Sequence, residues 1–182
     1  MNEEKKVQIE KYIKLLKEYN EKINVYSKKA YDKLDFHIQD SINIAEIIGN
    51  TKKRVIDMGS GSGLPAVIIA IANESNLVTA VESKKKKCDL LFHVKHKLKL
   101  DNLKVINEDV NKIIRDEPAD FYTAKAFKKI PEIIKMKVNF KKHSKCIIPI
   151  SANQVQELNS ISVHKSWETV SIKDCLYLIL KN

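Results

Sequence analysis

The stretch Arg54 to Ile71, RVIDMGSGSGLPAVIIAI, leaves the chain few folds to adopt. An apolar run of strand length ends at Met58, glycines follow at 59, 61 and 63, and a second apolar run begins after Leu64 and Pro65. Glycines at alternate positions let the backbone turn tightly and let a ligand approach where a Cβ would block it. Proline in the first turn of a helix loses no internal hydrogen bond, because that N–H has no helical partner. The expected strand–loop–helix ends on unpaired N–H groups that suit an electron-rich or anionic ligand. This is the layout of a nucleotide-type site in an α/β sheet.

Two ligand classes fit the loop. Gly61 to Ala66 matches G-x-G-x-x-G/A, a fingerprint that cradles a dinucleotide pyrophosphate. From Asp57, the same residues read D-x-G-x-G-x-G. An acid at the end of the first strand suits a ligand with a cationic amino-acid end, such as S-adenosylmethionine (AdoMet). Glu82, at the end of the next apolar run, is placed to accept from both hydroxyls of a ribose, which either ligand carries. A glycine turn with no ligand is the bland alternative.

The remaining periodicities alternate. Apolar spacings of three and four predict a helix from Glu3 to Asn24, then loop and partial helix from Tyr26 to Phe36. His37-Ile38-Gln39-Asp40-Ser41 opens the next helix, where its polar groups read as helix-start capping, and Gly49-Asn50 ends it. Beyond the glycine loop come a helix to about Asn73, a strand from Leu77 to Glu82 and a helix from Lys84 to Leu100. A third strand, Leu103 to Ile106, leads into the turn Glu108 to Asn111. There Val110 is placed to pack on an adenine, and Asp109 or Asn111 to hydrogen-bond its edge. Further strands are expected at Asp120–Ala124, Lys145–Ile150, Val163–Val170 and Cys175–Leu180, with helices at Ile130–Val138 and Gln154–Leu158. Lys125, just past the fourth strand, falls in the crevice where open α/β sheets bind ligands. The whole reads as one domain over 1–182, with a helical extension (1–50) and a Rossmann-like, doubly wound core (51–182) closed by an antiparallel hairpin.

The formal net charge of +10 points to a polyanionic partner. Only Arg54 and Arg115 are arginines, so the basic character is almost wholly lysine, a phosphate point charge without arginine's bidentate fork. Lys84 to Lys87 stand at a helix start, where they oppose the helix dipole. Either a solvated face or phosphate contact accounts for them. Cys88, Cys146 and Cys175 show neither disulfide nor zinc spacing and read as buried thiols. No apolar run reaches membrane-helix length, so a cytoplasmic protein with no membrane contact and no metal is expected.

Assembled, these residues resemble the glucose-inhibited division protein B family, bacterial enzymes that methylate guanine N7 in small-subunit ribosomal RNA. The resemblance spans nearly the full length: Asn24-Val25, the His37-x-x-Asp40-Ser41 segment, the Asp57–Pro65 loop, Val81-Glu82-Ser83 and Lys86-Lys87. It implies a class I AdoMet-dependent methyltransferase, acting as a monomer on ribosomal RNA or the small subunit. By the resemblance Gly59, Leu64, Val110, Asn111 and Lys125 stand at AdoMet-contact positions, and His37, Asp40 and Ser41 gain a functional, RNA-side reading. Ala66, Asp109, Asn111 and Lys125 depart from the family's usual residues, and the Lys-Gly expected near Pro149 is missing. Guanine N7 carries no proton, so no catalytic acid or base is expected. A dinucleotide oxidoreductase and a non-catalytic RNA-binding protein of the same fold are the alternatives.

Overall fold

A computed structural model describes residues 2–161 and 167–182. Seven strands form one sheet in the order β3-β2-β1-β4-β5-β7-β6. They are β1 (Arg54–Met58), β2 (Leu77–Val81), β3 (Leu103–Ile106), β4 (Phe121–Thr123), β5 (Lys145–Ile150), β6 (Trp167–Ile172) and β7 (Cys175–Lys181). The first five run parallel, while β7 pairs antiparallel with both β5 and β6. The order reverses between β1 and β4, so the carboxyl ends of those strands open a crevice at a topological switch point.

Side chains alternate between two cores, as a pleated sheet requires. Val55, Val78, Ala80, Ile147 and Tyr177 face one side. There they meet α1 (Glu3–Lys22), α2 (Leu34–Ile48), α3 (Ala66–Ala72) and α4 (Lys85–Leu98). Ile56, Met58, Cys146, Ile148 and Leu178 face the other, against α5 (Val110–Asp116), α6 (Ile130–Met136) and Leu158 of α7 (Ala152–Ile161). Every residue of α3 from Ala66 to Ile71 is fully buried, which explains why that helix is apolar all round. The helices α1 and α2 share their hydrophobic core with α3, so no boundary in packing separates them from the sheet.

Several boundaries differ from the expected ones. A 3-10 turn over Lys28–Lys33 runs straight into α2, which begins at Leu34. His37 to Ser41 therefore lie inside the helix, and the capping role expected for them has no free helix end to serve. Pro65 sits at the cap position and α3 starts one residue later. Lys99, in the left-handed region, ends α4 shortly after Leu98. The strand expected from Val163 begins at Trp167, and its portion over residues 163–166 lies outside the described residues. Cys88 and Cys146 are buried free thiols, while Cys175 is only half-buried at the start of β7, just after the hairpin turn.

Candidate cofactor and RNA site

The loop after β1 carries glycines at φ +72°, +58° and +110° (Gly59, Gly61 and Gly63), a conformation that L side chains rarely adopt. Two of them also face close neighbours. A Cβ on Gly63 would lie 2.7 Å from Val67 Cγ2, and one on Gly59 would lie 2.4 Å from the Phe127 ring. A Cβ on Gly61 would meet only ordinary contacts, the Gly59 carbonyl and the Lys87 ammonium, each at 3.8 Å. Three ties hold the loop. The Gly61 N–H donates to Glu82 Oε2 at 2.9 Å, the Ser60 hydroxyl to the Asp57 carbonyl at 3.1 Å, and the Tyr12 hydroxyl, from α1, to the Ser62 carbonyl at 3.1 Å.

Asp57 is 1% exposed. It stands in register with Thr123 across the parallel β1–β4 pair, so both side chains share a face, and the Thr123 hydroxyl donates to Asp57 Oδ1 at 2.7 Å. Oδ2 is buried with no hydrogen-bond partner. Burial pushes this carboxyl up to about 6, against the opposing pull of the Thr123 and Ser60 hydroxyls, the Ala66 N–H and the Lys125 ammonium. A buried carboxylate at the foot of the glycine loop, with one oxygen not engaged by a side chain, is suited to the cationic end of an amino-acid ligand. Glu82, also buried, uses its other oxygen to accept from the Lys84 N–H at 2.8 Å. Each carboxylate oxygen has a second lone pair, so a ribose hydroxyl can still be accepted.

Two cavities meet at Gly59. One, of about 210 Å³, is lined by Val81, Ser83, Asp109, Val110, Asn111 and Phe127. It is an apolar slot with polar rims, suited to a flat heteroaromatic ring. Asp109 caps α5, accepting from Asn111 N at 2.7 Å and from Asn111 Nδ2 at 2.9 Å, so the two expected edge-binders are bonded to each other. The other cavity, of about 230 Å³, is bordered by Tyr26, His37, Gly61, Leu64, Lys87 and Lys125. The loop, the orphan carboxylate oxygen and the apolar slot together fit AdoMet, with an extended ligand crossing Gly59 beside the Phe127 ring. Ala66 stays in the buried first turn of α3, and Pro149 lies within the β5–β7 pairing opposite Tyr177.

Lys125 is no free surface residue. Its side chain is 11% exposed and its ammonium lies 2.5 Å from Asp40 Oδ2 and 3.1 Å from the His37 carbonyl. Burial draws its pKa down, and Asp40 opposes that pull. Tyr177 of β7 donates to Asp40 Oδ1 at 2.8 Å, and Asn43 donates to the Tyr177 hydroxyl at 3.1 Å. This buried network joins α2, the segment after β4 and the terminal hairpin behind the cavity.

That geometry corrects the RNA-side reading of α2. Asp40 is 3% exposed and Ser41 0%, and the Ser41 hydroxyl is bonded within its own helix to the His37 carbonyl. Neither side chain reaches a polyanion; Asp40 instead positions Lys125. His37 does border the cavity, but burial and the nearby Lys125 ammonium lower its pKa, which disfavours the cation that would attract a phosphate. Of the lysine run, Lys84 and Lys87 line a third cavity, of about 740 Å³, with Lys22, Lys28 and Lys29. Lys85 is exposed and pairs with Asp89, and Lys86 is exposed on the helix surface. Tyr12, Asn43, Phe127 and Tyr177 also serve the site, though the sequence around them carries no motif. Each acts through a partner more than 40 residues away, and no local pattern signals that.

A family model described as GidB, rRNA small subunit methyltransferase G, matches residues 5–176. A protein of that name from Fusobacterium nucleatum is 31% identical over 157 residues, covering 84% of this chain and 67% of the relative. One from Brachyspira hyodysenteriae is 31% identical over 177 residues, covering 95% and 85%. With one from Pseudomonas entomophila the chain shares 34% identity over 117 residues, 64% of this chain and 54% of the relative. Among solved structures, a methyltransferase from Geobacter sulfurreducens superposes with a TM-score of 0.66 at 12% identity, covering 93% of this chain and 87% of that one. A SAM-dependent O-methyltransferase from Thermotoga maritima gives 0.58 at 18%, covering 79% and 64%. The fold is that of the class I AdoMet-dependent methyltransferases, which sets aside the dinucleotide oxidoreductase. The chain belongs to the family of small-subunit ribosomal RNA methyltransferase G.

Proposed function

We propose that the chain transfers a methyl group from AdoMet to N7 of a guanine in small-subunit ribosomal RNA. The observation that carries this is the pair of acids at the ends of adjacent parallel strands, Asp57 and Glu82, bracketing a glycine loop that borders a cavity at Gly61. In this reading Asp57 holds the ammonium, Glu82 the ribose, Val110 and Phe127 the adenine, and the Gly59–Leu64 loop the length of the ligand. AdoMet supplies a sulfonium methyl that is electrophilic without further activation.

Guanine N7 presents an in-plane lone pair and no proton, so no side chain of the chain has to act as a base. The protein's contribution is to bring N7 into line at near-attack distance and to keep water out, the part of catalysis that orientation supplies. The cavity beside Gly61, bordered by Tyr26, His37, Lys87 and Lys125, is where the target base would enter. Lys125 is held by Asp40 and supplies positive charge there without being free to swing away. Among the described residues no helix is long and apolar enough to cross a membrane.

The test uses small-subunit RNA from cells lacking this protein, treated with enzyme and AdoMet and then cleaved by borohydride and aniline. One new cleavage, at a single guanine, is expected. AdoMet binding with no N7 product would instead favour a non-catalytic RNA-binding protein, and NAD binding without AdoMet binding would overturn the cofactor assignment.

A further inference from the structure

The cavity that would receive the target base does not end at Lys87. That side chain also lines the cavity of about 740 Å³ formed with Lys84, Lys22, Lys28 and Lys29. Lys22 in turn lines a third space, of about 750 Å³, between α1 and α4, where Lys11, Lys14 and Lys97 stand with Tyr19 and His93. Shared residues thus chain three spaces into one track, leading from the glycine loop to the outer groove between α1 and α4. Eight lysines line its two outer spaces, against Glu18 and Glu21. Lys14, Lys22 and Lys97 are exposed, and only Lys14 faces an acid on its own helix, Glu18 at 3.9 Å.

Aromatic rings are set among the charges. Tyr26 borders both inner cavities and is backed by Tyr31 at 5.7 Å, nearly parallel. One helical turn from Lys22, Tyr19 lies 6.2 Å from the His93 ring, and both line the outer groove. A basic groove with stacking faces at intervals is the arrangement that binds single strands, since a flat ring can stack only on a base released from its duplex. Lysines contribute sequence-independent phosphate attraction and little base reading.

We propose that an unpaired RNA segment flanking the target nucleotide runs along this track, with one base on Tyr26 and another on Tyr19. Its phosphates lie on Lys22, Lys14 and Lys97. The proposal rests on the RNA reading above and gives it a path and a strand state. It also gives α1 a role in gripping substrate.

The test measures binding of a short labelled oligouridylate to the full chain across a salt series, with the same strand paired to oligoadenylate as comparison. Replacing Lys14 and Lys97 together by Gln should weaken binding and lower the salt slope by about 1.4, the value for two phosphate contacts on a single strand. Tyr19→Ala should lower affinity on the order of tenfold to hundredfold with the slope unchanged, and Tyr19→Phe, which keeps the ring, should restore it. AdoMet affinity by calorimetry should match wild type in every variant, which shows that the fold is intact. Unaltered slope and affinity in the lysine pair, or a duplex bound as tightly as the single strand, would overturn the path. Methylation of small-subunit RNA by wild type is scored separately, so this proposal and the assigned activity can fail independently.

Discussion

Replacing Asp57 by Asn exchanges a buried carboxylate for a neutral amide of nearly the same shape at the end of β1. Burial raises this carboxyl from its ordinary 3.8 to about 6. At about 1.36 kcal/mol per pH unit, that displacement amounts to about 3 kcal/mol, and full burial leaves no solvent screening to discount it. The folded state therefore holds a proton that the unfolded state releases between the two values. The contribution is fully present below pH 3.8 and is lost as pH rises through about 6. Asn does not titrate, so its own profile lacks this fall. An amide facing the unpartnered side of the site costs about 1–3 kcal/mol, but that cost is independent of pH. Urea unfolding of both proteins from pH 4 to pH 7.5 should show the stability of the Asn variant relative to wild type rising by about 2 kcal/mol across the range, part of the contribution being lost already at pH 4. Calorimetry should show the opposite for function. Wild-type AdoMet affinity should fall about tenfold per pH unit below about 6, as the carboxylate that pairs the ammonium is protonated, and Asp57→Asn should bind weakly at every pH. Parallel stability profiles, or wild-type affinity in the variant, would refute the placement of a strained carboxylate against the ligand.

Gly61→Val should abolish AdoMet binding, because a β-branched residue resists φ +58° and its side chain would enter the cavity that Gly61 borders; retained binding in calorimetry would show that cavity to be unused. Lys125→Ala should cut turnover strongly and lower stability by about 3–5 kcal/mol by stranding Asp40, while Lys125→Arg should keep activity. Joining Lys125→Met to Asp40→Leu should recover the stability without the turnover, and recovery of both would make the pair purely structural. Tyr177→Phe should reduce activity through misplacement of Asp40 and cost about 1 kcal/mol in thermal unfolding; an unchanged protein would remove Tyr177 from the positioning network.

The parts of this site that were legible beforehand are those encoded in adjacent residues. Three alternate glycines, an acid before them and an acid at the next strand end are local statements about backbone conformation and charge. The strands are legible as short continuous apolar runs, because both faces of the sheet are covered: Val55 faces one core, Ile56 and Met58 the other. What stayed hidden is set by packing between distant segments. Asp40 looks like a surface acid near a helix start until β7 brings Tyr177, and the β4 end brings Lys125, to its two oxygens. The four lysines at 84–87 were visible as a run. Their division into lining and solvated pairs depends on where α1 lies against α4, and Lys22, Lys28 and Lys29 come from another part of the chain altogether. Phe127 against Gly59 is of the same kind, because nothing in its neighbours announces the contact.

The hydroxyl of Tyr12 on the Ser62 carbonyl has a consequence for where entropy is spent. Three glycines within five residues would be among the most freely jointed backbone in the chain, and ordering each residue costs about 1–2 kcal/mol. With Tyr12, Glu82 and Ser60 each fixing one point of the loop, that cost falls on folding, and the ligand meets a loop already in shape. Without α1 the cost returns at the moment of binding. A chain lacking that helix would bind AdoMet with a more unfavourable entropy even though none of the ligand's own contacts had been removed.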